Sequence, residues 1–145
     1  MMKDVSPKLR LDAVVKLRER DEDRARRELA DAQRQAADAD RALHDANALA
    51  RLDERGRGSA AEWQIAEAAH WRGIVEQRQA EGAARAAGER LGRSQAHYSG
   101  VRARAEVVRR VVAGRRHEIV RQAAVAEQKT LDSLALVLHR RATRT

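Results

Sequence analysis

The chain has 145 residues and is 43% hydrophobic, but thirty of its residues are Ala and only Trp63, Trp71 and Tyr98 are aromatic. Large apolar side chains, each worth roughly 1.5–3 kcal/mol when buried, are too few for a sandwich, a barrel or a doubly wound sheet, and 36% charge with the single Pro7 is a composition of long helix. Zero Cys excludes disulfides, a thiolate zinc site and a Cys nucleophile together, and no apolar run approaches the roughly 18–20 residues of a membrane span or forms a signal-peptide core.

The first expected element is a helix over about 9–53. Its stripe runs through Leu11, Val14 or Val15, Arg18, Glu22, Ala25, Leu29, Ala32, Ala36, Ala39, Leu43, Ala46 and Ala50. From Glu22 the steps alternate between four and three residues, the period of a supercoiled seam. Asp, Arg, Gln and Glu fill the intervening positions and solvate the outer faces. A turn is expected at about 54–59, where Gly56 and Gly58 interrupt the stripe. Ser59-Ala60-Ala61-Glu62 then has the pattern of a capping box that restarts a helix.

The second helix is expected over about 60–140. Gly73, Gly82, Gly88, Gly92, Gly100 and Gly114 lack accompanying Pro or turn residues and read as soft spots within it. One stripe passes through Leu91, Tyr98, Val101, Ala105, Val108 and Val112, another through Val120, Ala124, Glu127, Leu131, Leu134 and Leu138. The two are out of register near Gly114, which predicts a stutter there. Two helices joined by a short turn run antiparallel. The expected fold is therefore all-α: a long antiparallel two-helix coiled coil, or helical hairpin, forming a single domain over residues 1–145. If the turn centres near residue 57, position i faces roughly 114 − i, and Leu9 lies near residue 105. Val107, Val108, Val111, Val112, Ile119, Val120 and Leu131 to Leu138 then form a C-terminal helical overhang. An apolar stripe of that length calls for a covering partner or a fold-back.

No catalytic chemistry emerges from the residues. His44, His70, His97, His117 and His139 include no pair four apart, so no helical metal site is expected. Phosphate-binding glycine loops and nucleophile elbows are absent, and the carboxylates lie along helix faces where Arg neighbours account for them. The expectation is no enzyme, no cofactor and no small-molecule substrate.

The formal net charge of +8 is concentrated: residues 1–84 hold 16 Lys and Arg against 17 Asp and Glu, whereas residues 85–145 hold 14 against 5. Arg102, Arg104, Arg109, Arg110, Arg115, Arg116 and Arg121 form the densest band. Docking on an acidic protein is the first reading, a solvated coiled-coil flank the second, and phosphate contact the third. Stacking aromatics would be expected of a nucleic-acid module, and none lies in or after the band. For Trp63 and Trp71, eight apart just after the turn, an interface anchor is the first reading and local packing at the hairpin tip the second. The 114 − i pairing sets Ala42, Ala46 and Leu49 near them.

Two segments carry a resemblance. They are Arg10-Leu11-Asp12-Ala13-Val14-Val15-Lys16-Leu17-Arg18-Glu19, followed by Glu22, Asp23, Ala25 and Leu29, and Glu127-Gln128-Lys129-Thr130-Leu131-Asp132. With the Gly turn, the unequal helices and Trp63, the chain resembles the FliJ family, the coiled-coil component of the bacterial flagellar type III export apparatus. Ser133 stands where that family usually has a further acid. Stalk proteins of injectisome type III secretion share the layout.

The resemblance implies a stalk that links the hexameric export ATPase to the cytoplasmic domain of the membrane export-gate protein and escorts export chaperones. It implies a cytoplasmic protein, peripheral on the cytoplasmic face of the cell membrane. It implies ATPase binding at the end formed by the termini, which here carries Leu11, Arg109, Arg110, Arg116, Leu131, Leu134 and Leu138. Gate binding falls nearer the hairpin tip, which carries Ala42, Ala46, Leu49, Trp63 and Trp71.

Overall fold

The structure is a computed structural model and describes residues 10–51 and 58–143. Two helices account for nearly all of them: α1, Asp12–Ala50, and α2, Ala60–Ala142. They pack against each other as a helical hairpin. Most of the expected turn at about 54–59, with Gly56, lies outside the described residues.

Local chemistry sets the start of α2. The Ser59 backbone N–H donates to Glu62 Oε2 at 2.6 Å, and the Glu62 N–H donates to Ser59 Oγ at 3.3 Å. These reciprocal bonds satisfy helix-end donors that would otherwise be orphaned. Gly58 precedes the cap with φ of +139°, and a Cβ there would meet Glu62 Oε2 at 2.5 Å. Gly58 is thus required at the entrance of α2. Ser59→Ala is expected to destabilise this helix start by about 1 kcal/mol, read as lost amide-exchange protection over residues 61–65. The Ser59 backbone N–H, and then its side chain, hold the Glu62 carboxyl below its ordinary pKa. The stabilisation is therefore present above the ordinary carboxylate range and is lost as pH falls through the lowered value. Glu62→Gln should flatten that pH dependence.

The α1 seam appears as the alternating steps predict. Glu22, Ala25 and Ala32 are buried, Leu29, Ala36, Ala39, Leu43, Ala46 and Ala50 are half-buried, and most residues between them are exposed. On α2, Ala87, Val101, Ala105 and Val112 are buried, with Leu91, Tyr98 and Val108 half-buried. Helix continues through Gly73, Gly82, Gly88, Gly92, Gly100 and Gly114. Near Gly114 the shaded positions step by four and four, from Val108 to Val112 to Arg116, while Arg115 is exposed. No large side chain is fully buried among the described residues. Each alanine contact contributes little, so pairing strength accumulates along the length of the seam.

The chain divides into two compact units, residues 21–102 and residues 1–20 with 103–145. In the first, a Cβ on Gly73 would lie 3.9 Å from Ala50 Cα. Gln77 Nε2 donates to Asn47 Oδ1 at 2.8 Å and Arg90 Nη1 to Gln35 Oε1 at 3.0 Å. Arg26 is hydrogen-bonded to Tyr98, the largest of the effects that raise its pKa above the ordinary value. Position i therefore lies opposite about 124 − i, which corrects the 114 − i pairing. The expectation assumed that the helices pair from the turn outward. Among the described residues the cross-helix approach nearest the turn is instead that of Ala50 to Gly73.

In the second unit, Arg116 Nη2 donates to Asp12 Oδ1 at 2.6 Å, and Arg109 Nε lies 3.9 Å from Glu19 Oε1. Val15 rather than Val14 turns inward. Val108 and Val112, expected in the overhang, are shaded beside this first part of α1. The overhang is correspondingly shorter: every described residue from Val120 to Thr143 is exposed.

Candidate protein-docking surfaces

The C-terminal part of α2 forms the first surface. Leu131, Leu134 and Leu138 are 56%, 55% and 65% exposed. Leu136 and Val137 are also exposed, as is Val125 nearer the hairpin. Leu136 and Val137 fall within the overhang expected from Leu131 to Leu138, although they were not singled out as binding residues, and Val125 lies on neither of the stripes drawn. The available signal was the unbroken run Leu134-Ala135-Leu136-Val137-Leu138, which covers more than one helix face. Polar side chains in this segment bond locally, Gln128 Nε2 to Asp132 Oδ1 and Ser133 Oγ to the Lys129 carbonyl. They support the helix and leave its apolar faces open. Leu11, at the entrance of α1, is exposed as well.

The arginine band is divided by its partners. Arg109 and Arg116 reach across to Glu19 and Asp12, and so hold the start of α1. Arg110 pairs with Glu106 one turn back. Arg121 grips Glu118 with two bonds of 3.0 and 2.9 Å. That contact, then Gln122, keeps the Glu118 carboxyl below its ordinary pKa. Arg104 and Arg115 are exposed and have no ion pair among the described residues.

The start of α2 forms another surface. Trp63 and Trp71 are 54% and 58% exposed, and Ile65 and Val75 are exposed too. Trp71 Nε1 donates to Glu67 Oε1 at 2.9 Å, while the His70 ring meets Trp71 edge-on at 6.3 Å. Where α1 stops, an open pocket of about 270 Å³ is lined by residues including Leu49, Ala50, Ala66, His70 and Gly73. Leu49 thus borders the exposed start of α2. Ala42 is exposed and Ala46 lies in the seam, and the corrected register sets both opposite residues well beyond Trp71.

These features describe a hairpin with exposed apolar surfaces. Among the described residues, no cluster of three or more His, Cys, Asp or Glu could hold a metal ion. Among the same residues, no helix is long and apolar enough to cross a membrane. A family model described as flagellar FliJ protein matches residues 7–144, nearly the whole chain. The chain belongs to the FliJ family. No curated protein and no solved structure matches it. Membership makes this FliJ-family protein a component associated with flagellar type III export, in a family of structural and escort proteins rather than enzymes.

Proposed function

We propose that this FliJ-family protein is the coiled-coil stalk of the export apparatus. It joins the export ATPase hexamer to the cytoplasmic domain of the membrane export gate, escorts export chaperones, and works at the cytoplasmic face of the membrane. The observation that carries the reading is the exposed run from Val120 to Thr143, apolar on several faces between Leu131 and Leu138. A helix apolar on more than one face is stable where it is enclosed. A ring of ATPase subunits supplies such an enclosure around a helix axis.

On this reading Leu131, Leu134 and Leu138 insert into the ATPase, and Leu11 and Arg110, further back where the two helices pair, contact it as well. Arg109 and Arg116 act by keeping α1 on α2, so that the ring meets a paired end. Trp63 and Trp71, with Leu49, meet the gate, since large exposed aromatics contribute disproportionately to binding. The test is sedimentation of the full chain with purified export ATPase. One stalk is expected to co-sediment with each hexamer. Failure to bind at micromolar concentrations of both would overturn the assignment.

A further inference from the structure

One edge of the terminal unit is closed by two ion pairs, and the other presents exposed valines. Asp12 and Glu19, seven apart on α1, reach Arg116 and Arg109, seven apart on α2. At 100° per residue, these arginines lie on one side of the buried stripe Ala105, Val108 and Val112. On the other side, Arg104, Val107, Val111 and Arg115 follow each other at steps of three, four and four, within an arc of about 80°. Val107 and Val111 are 60% and 56% exposed. On α1, Asp12 and Val14 fall on opposite sides of Val15, so Val14 turns toward the edge that lacks the ion pairs, and Leu17 continues round from it. Val14 and Leu17 are both exposed. In an antiparallel pair like edges meet, so both helices offer apolar side chains on the same side.

We propose that this edge is a docking site for an acidic amphipathic helix of another protein, which adds a third helix to the terminal unit. Charge complementarity identifies the occupant. The apolar stripe is bracketed by Arg104 and Arg115, which are exposed and make no ion pair among the described residues, Arg115 acting on Glu118 only at longer range. They stand eleven residues apart, about 16 Å along the helix. A matching helix carries apolar residues one turn apart, with carboxylates at each end of that stripe at the same eleven-residue spacing. A basic helix would meet like charge at both ends and is rejected. The site is separate from the Leu131 to Leu138 segment and does not rest on the stalk reading.

The probe is a fluorescent synthetic helical peptide of about 20 residues with a leucine stripe and glutamates at that spacing, compared with its lysine counterpart. The full chain is expected to bind the glutamate peptide at least about tenfold more tightly at ~0.1 M salt, with the preference fading as salt rises. Arg104→Glu with Arg115→Glu should reverse the preference. Val107→Ser with Val111→Ser should weaken glutamate-peptide binding about tenfold or more, with helicity unchanged by circular dichroism. Leu131→Asp should leave it intact. Equal affinity for the two peptides, no binding of the glutamate peptide, no reversal, or loss on Leu131→Asp would each overturn the proposal. So would a concentration-dependent dimer abolished by the double serine variant, because the occupant would then be a second copy of this chain.

Discussion

Leu131→Asp, and separately Leu134→Asp, should abolish binding to the export ATPase while the isolated protein keeps its helicity and melting behaviour. Both side chains are more than half exposed, so the isolated chain loses almost no buried apolar area. The helix itself bears only the intrinsic disadvantage of aspartate, about half a kcal/mol at an interior position. In the complex the same position would place a carboxylate in an apolar enclosure, where an unpaired charge is costly to desolvate. A loss of at least ~2 kcal/mol, about 30-fold in affinity, is expected from either change alone. Binding by sedimentation and melting by circular dichroism are read on the same preparation. If either variant melts the isolated protein, the C-terminal segment packs within the chain. If both bind normally, the ATPase engages another surface.

Trp63→Ala and Trp71→Ala should weaken docking on the export gate by about 2 kcal/mol each and leave ATPase binding nearly unchanged. The corrected register strengthens the expectation. In the corrected register the position opposite Trp63 falls outside α1, and Trp63 is more than half exposed. Trp71 engages Glu67 through its ring nitrogen, and its ring is otherwise largely exposed. Surface plasmon resonance against the cytoplasmic gate domain, in parallel with ATPase sedimentation, separates the two functions. Loss of both interactions from one substitution, or of neither from both, would sink the assignment of the gate to this surface. Ala42→Ser and Ala46→Ser serve as comparisons. Ala46 lies in the seam, so its change should act on stability before it acts on binding.

What the amino-acid sequence determined by itself was the local part. The seam from Glu22 to Ala50 was legible because burial in a coiled coil follows spacings of three and four residues within one helix. The restart at Ser59 was legible because a capping box closes over three residues. The exposed leucines at the C-terminus were legible because α2 so clearly outlasts α1. The register across the turn was decided only by the tertiary structure. It depends on where small residues of one helix meet small residues of the other, and Ala50 beside Gly73 moved the pairing by about ten positions. That shift brought Val108 and Val112 under the start of α1 and left Trp63 beyond its end. The roles of the arginines were likewise undecided in one dimension. Arg104, Arg109, Arg115 and Arg116 are alike as letters, but the side of the seam each occupies decides which ones close the hairpin and which face outward. Contacts between distant segments follow from the packing of two surfaces, and no spacing within either helix encodes them.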